Sequence, residues 1–168
     1  NQDLIGSGRI VDPLKIGIGL NTGDVTVGNL GSEQRFDYSC LGDAINLGAR
    51  LEGLSKAYGV PIIIGEATHN SFDQPLGGAE IVLLDRVIVK GKTIPVAIYG
   101  IIPHENFATN WCADHNAFMS LVGHESWVEA ESALEQLKTL ENYPVELLEQ
   151  AVYRTENKIS QERQMTTK

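Results

Sequence analysis

Long apolar runs are missing from this chain. No stretch approaches the roughly 18 residues of a membrane-spanning helix, and no charged stretch followed by an apolar signal segment opens the sequence. With 2 cysteines in 168 residues a disulfide scaffold is excluded, and Cys40 and Cys112 fit free thiols of a reducing compartment better than a bridge. The 6 prolines and 17 glycines are too few for a collagenous or low-complexity chain. Basic residues are scarce as well. Thirteen Lys plus Arg against 22 Asp plus Glu give a formal net charge of −9, which argues against nucleic acid as a partner, since phosphate binding shows as a basic excess. Any anionic substrate must be held by a few local cations. His69, His104, His115, His124 and the two cysteines show no metal-ligand spacing, and neither a Ser-His-Asp order nor a nucleophile elbow is visible. Residue 1 is Asn rather than Met, and apolar patterning begins within a few residues, so a piece of a longer chain is expected.

What is present divides at Pro103. Residues 1–103 are rich in Gly, Ile and Val; residues 104–168 are rich in Glu, Ala, Leu and Gln. Acids outnumber bases 11 to 8 before the boundary and 11 to 5 after it, so the acidity belongs mainly to the tail. Leu14 to Leu20 alternates Ile16, Ile18 and Leu20 against Lys15, Gly17 and Gly19, and Val25 and Val27 resume the pattern after Asn21-Thr22-Gly23. This period predicts a β-hairpin. From Asp43 the spacing of Ala44, Leu47, Gly48, Leu51, Leu54 and Tyr58 becomes helical and stops at Gly59-Val60-Pro61. Val60–Ile64 reads as a buried strand, Glu66–Phe72 as a short helix, and Ile81–Val89 with Ile94–Ile102 as a second hairpin closed by Lys90-Gly91-Lys92-Thr93. Strands mixed with helices in this order predict an α+β or mixed α/β class. The tail reads as helices: Trp127, Ala130, Leu134 and Leu137 share one face, and after Pro144 so do Val145, Leu148, Val152 and Ile159. Two such helices need a partner surface, either residues 1–103 or further helical repeats.

The densest polar constellation runs from Arg35 to Glu52. Asn46 and Arg50, four residues apart on the predicted helix, share a face on which an amide and a guanidinium could hold a sugar and a phosphate. The plain alternative is a wet helix edge with a surface ion pair. Gly17, Gly19, Gly23, Gly28 and Gly31 are not followed by the Gly-Lys-Ser/Thr of a phosphate loop, so they read as sites of close backbone approach. Lys90 and Lys92 suit a triphosphate, or are simply a solvated turn.

The ordered runs Lys15–Gly23, Gly28–Gly31, Arg35–Tyr38, Gly42–Glu52 and Val89–Lys92 resemble the class III nucleotidyl cyclase catalytic domain of bacterial adenylate cyclases. The resemblance implies part of a ferredoxin-like cyclase fold, a mixed sheet with helices. It also implies conversion of ATP to cyclic AMP and pyrophosphate in intracellular signalling, with Mg2+ or Mn2+ as a pair of ions on two aspartates. Asn46 matches the ribose-orienting asparagine, Arg50 the transition-state arginine and Lys90 the triphosphate lysine, with Lys92 as an auxiliary. Ser39 matches the purine-reading position, where adenylate cyclases commonly carry Thr or Asp and guanylate cyclases often Cys; its hydroxyl favours ATP without excluding GTP. The family's sites form between two catalytic domains arranged head to tail, so a homodimer is implied.

Residues 1–13 hold no counterpart of the metal aspartates, Asp3 and Asp12 lack the motif context, and Asp24 and Asp43 are not promoted to ligands merely for being acidic. The expectation is a cytoplasmic unit carrying the transition-state half, inactive alone, from a parent adenylate cyclase whose membrane anchoring through upstream segments is left open. The tail is similar to a tetratricopeptide-type helical hairpin, a surface for a protein partner; a helical cap is the other reading. Guanylate cyclase and a non-catalytic regulatory domain are the competing functions.

Overall fold

A computed structural model describes residues 2–9, 14–32, 35–88, 94–104 and 109–166. A short helix α1 (Gln2–Gly6) precedes β1 (Ile18–Leu20), β2 (Thr26–Ser32), β3 (Arg35–Leu41) and the long helix α2 (Asp43–Tyr58). Then come β4 (Ile62–Gly65), α3 (Glu66–His69), β5 (Ala79–Val87) and β6 (Val96–Pro103), followed by α4 (Cys112–Gly123), α5 (Trp127–Leu137) and α6 (Val145–Thr166). The class is α+β with a mixed sheet, as the sequence predicts.

The main sheet has the order β1-β4-β6-β5, with β1 parallel to β4 and the other pairs antiparallel. The expected hairpin of Ile81–Val89 with Ile94–Ile102 is present, closing at Val87 opposite Val96. The expected first hairpin is not. β1 pairs with β4, Ile18 opposite Ile62, and β2 pairs with β3, Thr26 opposite Leu41. Alternation specifies that a segment is a strand and says nothing of its partner. After β1 the Asn21 side-chain amide donates to the Ala44 carbonyl at 3.1 Å, drawing the chain to the start of α2 rather than back along β1. The partner of β2 is Arg35–Leu41, a segment whose charged and hydroxyl residues hide its strand character.

α2 ends as the sequence predicts: Gly59 adopts a left-handed conformation (φ 66°) and its amide turns back to the Lys56 and Ser55 carbonyls. Its apolar face enters one core with Ile63, Val82, Leu84, Ile98 and Ile102 of the sheet. The tail closes over the same core. α4 lies on β5, α5 on α4, and α6 against both α5 and α2, with Trp111, Phe118, Leu134, Leu137 and Leu147 buried among the sheet residues. Side chains of this size each contribute about 1.5–3 kcal/mol when fully buried. Of the two partner surfaces considered for the tail, residues 1–103 is the one it meets. Among the described residues the tail has three helices instead of two, because α4 carries a histidine on its buried face and escapes a purely apolar pattern. The buried stripe of α6 is also displaced from the expected one: Leu147, Ala151 and Thr155 face inward, Leu148 and Val152 are half-buried, and Val145 is 65% exposed. Small Ala151 and Thr155 admit close packing, and the Thr155 hydroxyl is satisfied by the Ala151 carbonyl at 2.9 Å. Ile159 has its side chain outside the described residues.

Candidate active site

The site is organised by α2. Leu47, Leu51, Leu54 and Tyr58 turn toward the core, while Gly48, Glu52 and Ser55 turn toward the incoming chain at β1. A Cβ on Gly17 would collide with Ser55, and one on Gly19 with the Gly48 carbonyl oxygen and the Glu52 amide nitrogen. These two glycines therefore let helix and strand meet backbone to backbone, as the alternation of glycines along the strand leads one to expect. Asn46 and Arg50 occupy the other flank of the apolar stripe, one turn apart and both exposed. The Asn46 amide donates to the Gly42 carbonyl at 3.3 Å, so this residue sits in the first closed turn of the helix.

Ser39 lies exposed on β3, opposite Gly28 of β2 and three residues before Gly42, where the chain passes from the hairpin into α2. Hairpin and helix thus present Ser39, Asn46 and Arg50 in sequence along one continuous stretch. Lys90 and Lys92 lie outside the described residues; β5 and β6, which lead to them, are described. Cys40 is exposed and Cys112 buried.

Among the described residues no three His, Cys, Asp or Glu come together as a metal site. The described residues do not by themselves fit a pair of divalent ions. No helix among the described residues is long and apolar enough to cross a membrane.

Several supporting residues carry no sequence signal. The Thr22 and Thr68 hydroxyls lie 3.0 Å apart, tying the end of β1 to α3, and His69 stacks on Tyr99 with ring centroids 3.9 Å apart and planes 6° from parallel. Burial, then the charge of Glu66, raises the Tyr99 phenol above its ordinary value against the opposing pull of Arg86. These partners stand 46 and 30 residues apart in the chain, a separation no local spacing reveals. A cavity of about 900 Å³ opens between the segment entering β1, the second half of α2 and the start of α6, bordered by Lys15, Glu52, Ser55, Lys56 and Glu146. Neither Asn46 nor Arg50 borders it.

Residues 5–103 match the family described as "Adenylate and Guanylate cyclase catalytic domain". The chain is 38% identical over 99 residues to "Adenylate cyclase, terminal-differentiation specific" of Dictyostelium discoideum, an alignment covering 59% of this chain and 5% of that protein. It is 35% identical over 88 residues to "Adenylate cyclase" of Anabaena cylindrica, covering 52% of this chain and 18% of that one. Among solved structures, the adenylyl cyclase CyaB from P. aeruginosa aligns with 30% identity and a TM-score of 0.49, covering 60% of this chain and 49% of that one. The chain thus spans a small part of the curated relatives it matches. With the family's own region running from α1 through β6, the chain belongs to the adenylate and guanylate cyclase catalytic domain family.

Proposed function

We propose that this chain forms the transition-state half of an adenylate cyclase site. The observation that carries the reading is the exposed pair Asn46 and Arg50, one helical turn apart on a helix fixed to the sheet by glycine contacts, within the region matched to the cyclase family. Asn46 orients the ribose so that its 3′-hydroxyl lies in line with the α-phosphate. Arg50, planar and permanently charged, stabilises the charge that develops on the transferring phosphoryl group. Lys90, with Lys92 beside it, binds the triphosphate, and Ser39 contacts the purine edge, accepting from the adenine amino group. The family's Mg2+ or Mn2+ pair, and the aspartates that hold it, belong in this reading to a second catalytic domain, head to tail with this one. The chain by itself is then inactive.

Titration with ATP and with GTP tests the binding half. ATP binds more tightly, Lys90→Ala and Arg50→Ala each weaken it about tenfold by loss of charge-assisted contacts, and Ser39→Ala narrows the preference. Complementation tests the catalytic half: the chain is mixed with a cyclase catalytic domain that has metal aspartates but whose arginine equivalent to Arg50 has been replaced. Cyclic AMP formation recovers with the wild-type chain and not with Arg50→Ala, a loss of about 100-fold or more for a residue of this role. Demonstrated association without recovery overturns the reading.

A further inference from the structure

Among the described residues β5 is the last strand of the main sheet, and only one of its edges pairs with another strand. At its free edge the backbone groups of alternate residues point away from β6. α4 meets them with side chains. The Leu83 amide donates to Asn116 Oδ1 at 3.0 Å, and Asn116 Nδ2 donates to the Ile81 carbonyl at 3.2 Å. One side-chain amide therefore does for this edge what a peptide group of a neighbouring strand would do. His115 adds a third contact, with Nε2 at 2.8 Å from the Leu83 carbonyl oxygen. A carbonyl only accepts, so Nε2 carries the hydrogen and donates; Nδ1 and the Tyr143 hydroxyl oxygen lie 2.6 Å apart and share a second hydrogen bond. His115 is fully buried.

The strand is irregular at this grip. Its register with β6 slips between Leu83 and Asp85, and the extra residue, Leu84, is buried against Gly100. A bulge re-aims the side chains beside it. Here it is followed by Asp85, whose Oδ2 accepts a 2.6 Å hydrogen bond from the Tyr58 hydroxyl and whose Oδ1 accepts from the Arg86 amide. Tyr58 is the last residue of α2, about 12 Å along the helix from Arg50 at 1.5 Å per residue.

We propose that the C-terminal helices are a positioning device for the candidate active site. His115 and Asn116 fix the β5 bulge, and the bulge fixes the orientation of α2 through Asp85 and Tyr58. Asn46 and Arg50 are then held in place by the seating of α4. These four are positioning residues: they act on the nucleotide through α2 and do not touch it. The proposal rests on the assignment of Asn46 and Arg50 to the nucleotide, while the mechanical link from α4 to α2 stands apart from that assignment.

A double-mutant cycle on the full chain separates the two. Asn116 is exposed, so Asn116→Ala removes two hydrogen bonds without emptying the core, and Tyr58→Phe keeps the buried ring. Amide hydrogen exchange of α2 is measured without nucleotide, and a fluorescent ribose-labelled ATP is titrated in parallel. Each variant speeds exchange in the last two turns of α2 about threefold and weakens labelled-ATP binding about threefold, and the double variant does no more than either alone. Distant sites that act independently multiply their effects, so a ninefold change in the double variant overturns the proposal. Faster exchange confined to α4 in Asn116→Ala overturns it too. Coupled changes in α2 exchange with no ATP binding by the wild-type chain refute the nucleotide assignment and, with it, the site-positioning role, while leaving the α4–α2 link demonstrated.

Discussion

Gly19 lies against Gly48 so closely that a Cβ on the strand residue would collide with the carbonyl oxygen of the helix residue. Both sides of this contact are backbone, which cannot swing aside. Gly19→Ala must lift α2 from β1, at an expected cost of about 1–3 kcal/mol for overpacking. The urea midpoint falls, and labelled-ATP affinity falls with it as Asn46 and Arg50 move. Gly28→Ala is the control, since an added Cβ there meets nothing within 4 Å and the midpoint stays where it is. Equal midpoints for the two variants would remove this packing role from Gly19.

Gly59 caps α2 at φ 66°, a conformation that costs a side chain strain. Gly59→Ala is expected to lose about 1 kcal/mol and Gly59→Asn less, because Asn tolerates the left-handed region. The Glu146 carboxylate lies over this position but is the end of a flexible side chain and can withdraw, whereas the Glu146 Cβ, which alanine keeps, stands 3.2 Å from the added carbon. Thermal unfolding in a Glu146→Ala background should therefore show nearly the same loss when Gly59 is replaced by alanine. A loss that vanishes there would assign the cost to collision instead of backbone strain.

Replacing His115 by Phe keeps an aromatic ring in the core while removing the hydrogen bonds to Leu83 and Tyr143. The loss is expected to be about 1–3 kcal/mol, as for buried groups deprived of partners. Asn116→Ala, whose bonds are exposed and replaceable by water, should cost under about 1 kcal/mol. The order of the two urea midpoints checks this; the reverse order would locate the grip on β5 in the asparagine alone.

Burial, aided by the negative charge of Glu80, pushes the Cys112 thiol from 9.0 to about 11, and Tyr99 is raised in the same way. Both acids are neutral when protonated, and the folded chain holds those protons more tightly than the unfolded one. For Cys112 that contribution to stability is fully present below pH 9 and is lost as the pH rises through about 11; that of Tyr99 is likewise lost on the alkaline side. Melting temperatures should fall across that window, and less steeply in Cys112→Ala. At pH 8 iodoacetamide should modify exposed Cys40 alone, with Cys112 reacting only in denaturant. Rapid labelling of both in the folded chain would contradict this.

The legible parts of the fold are those with local signatures. α2 announces itself by apolar spacing and a glycine stop, and β5 with β6 by alternation on both sides of a short turn. What stays hidden is pairing. Residues 14–28 alone do not record that β1 chooses β4, since its partner strand and the carbonyl at 44 that Asn21 reaches both lie beyond them. α4 is hidden by its own function, since His115 and Asn116 face a strand edge that wants hydrogen bonds instead of hydrocarbon. The site divides likewise. Asn46 and Arg50 are a pair four residues apart and can be read directly; the Tyr58–Asp85 link, 27 residues long in sequence, cannot.

The grip of Asn116 on β5 also bears on solubility. An uncovered strand edge with an apolar face recruits the edges of other molecules into continuous sheets. Two of the three hydrogen bonds closing this edge come from one solvent-exposed side chain, so deamidation to aspartate, which turns its donor into an acceptor facing the Ile81 carbonyl, would open a route to aggregation in a protein whose core had not changed.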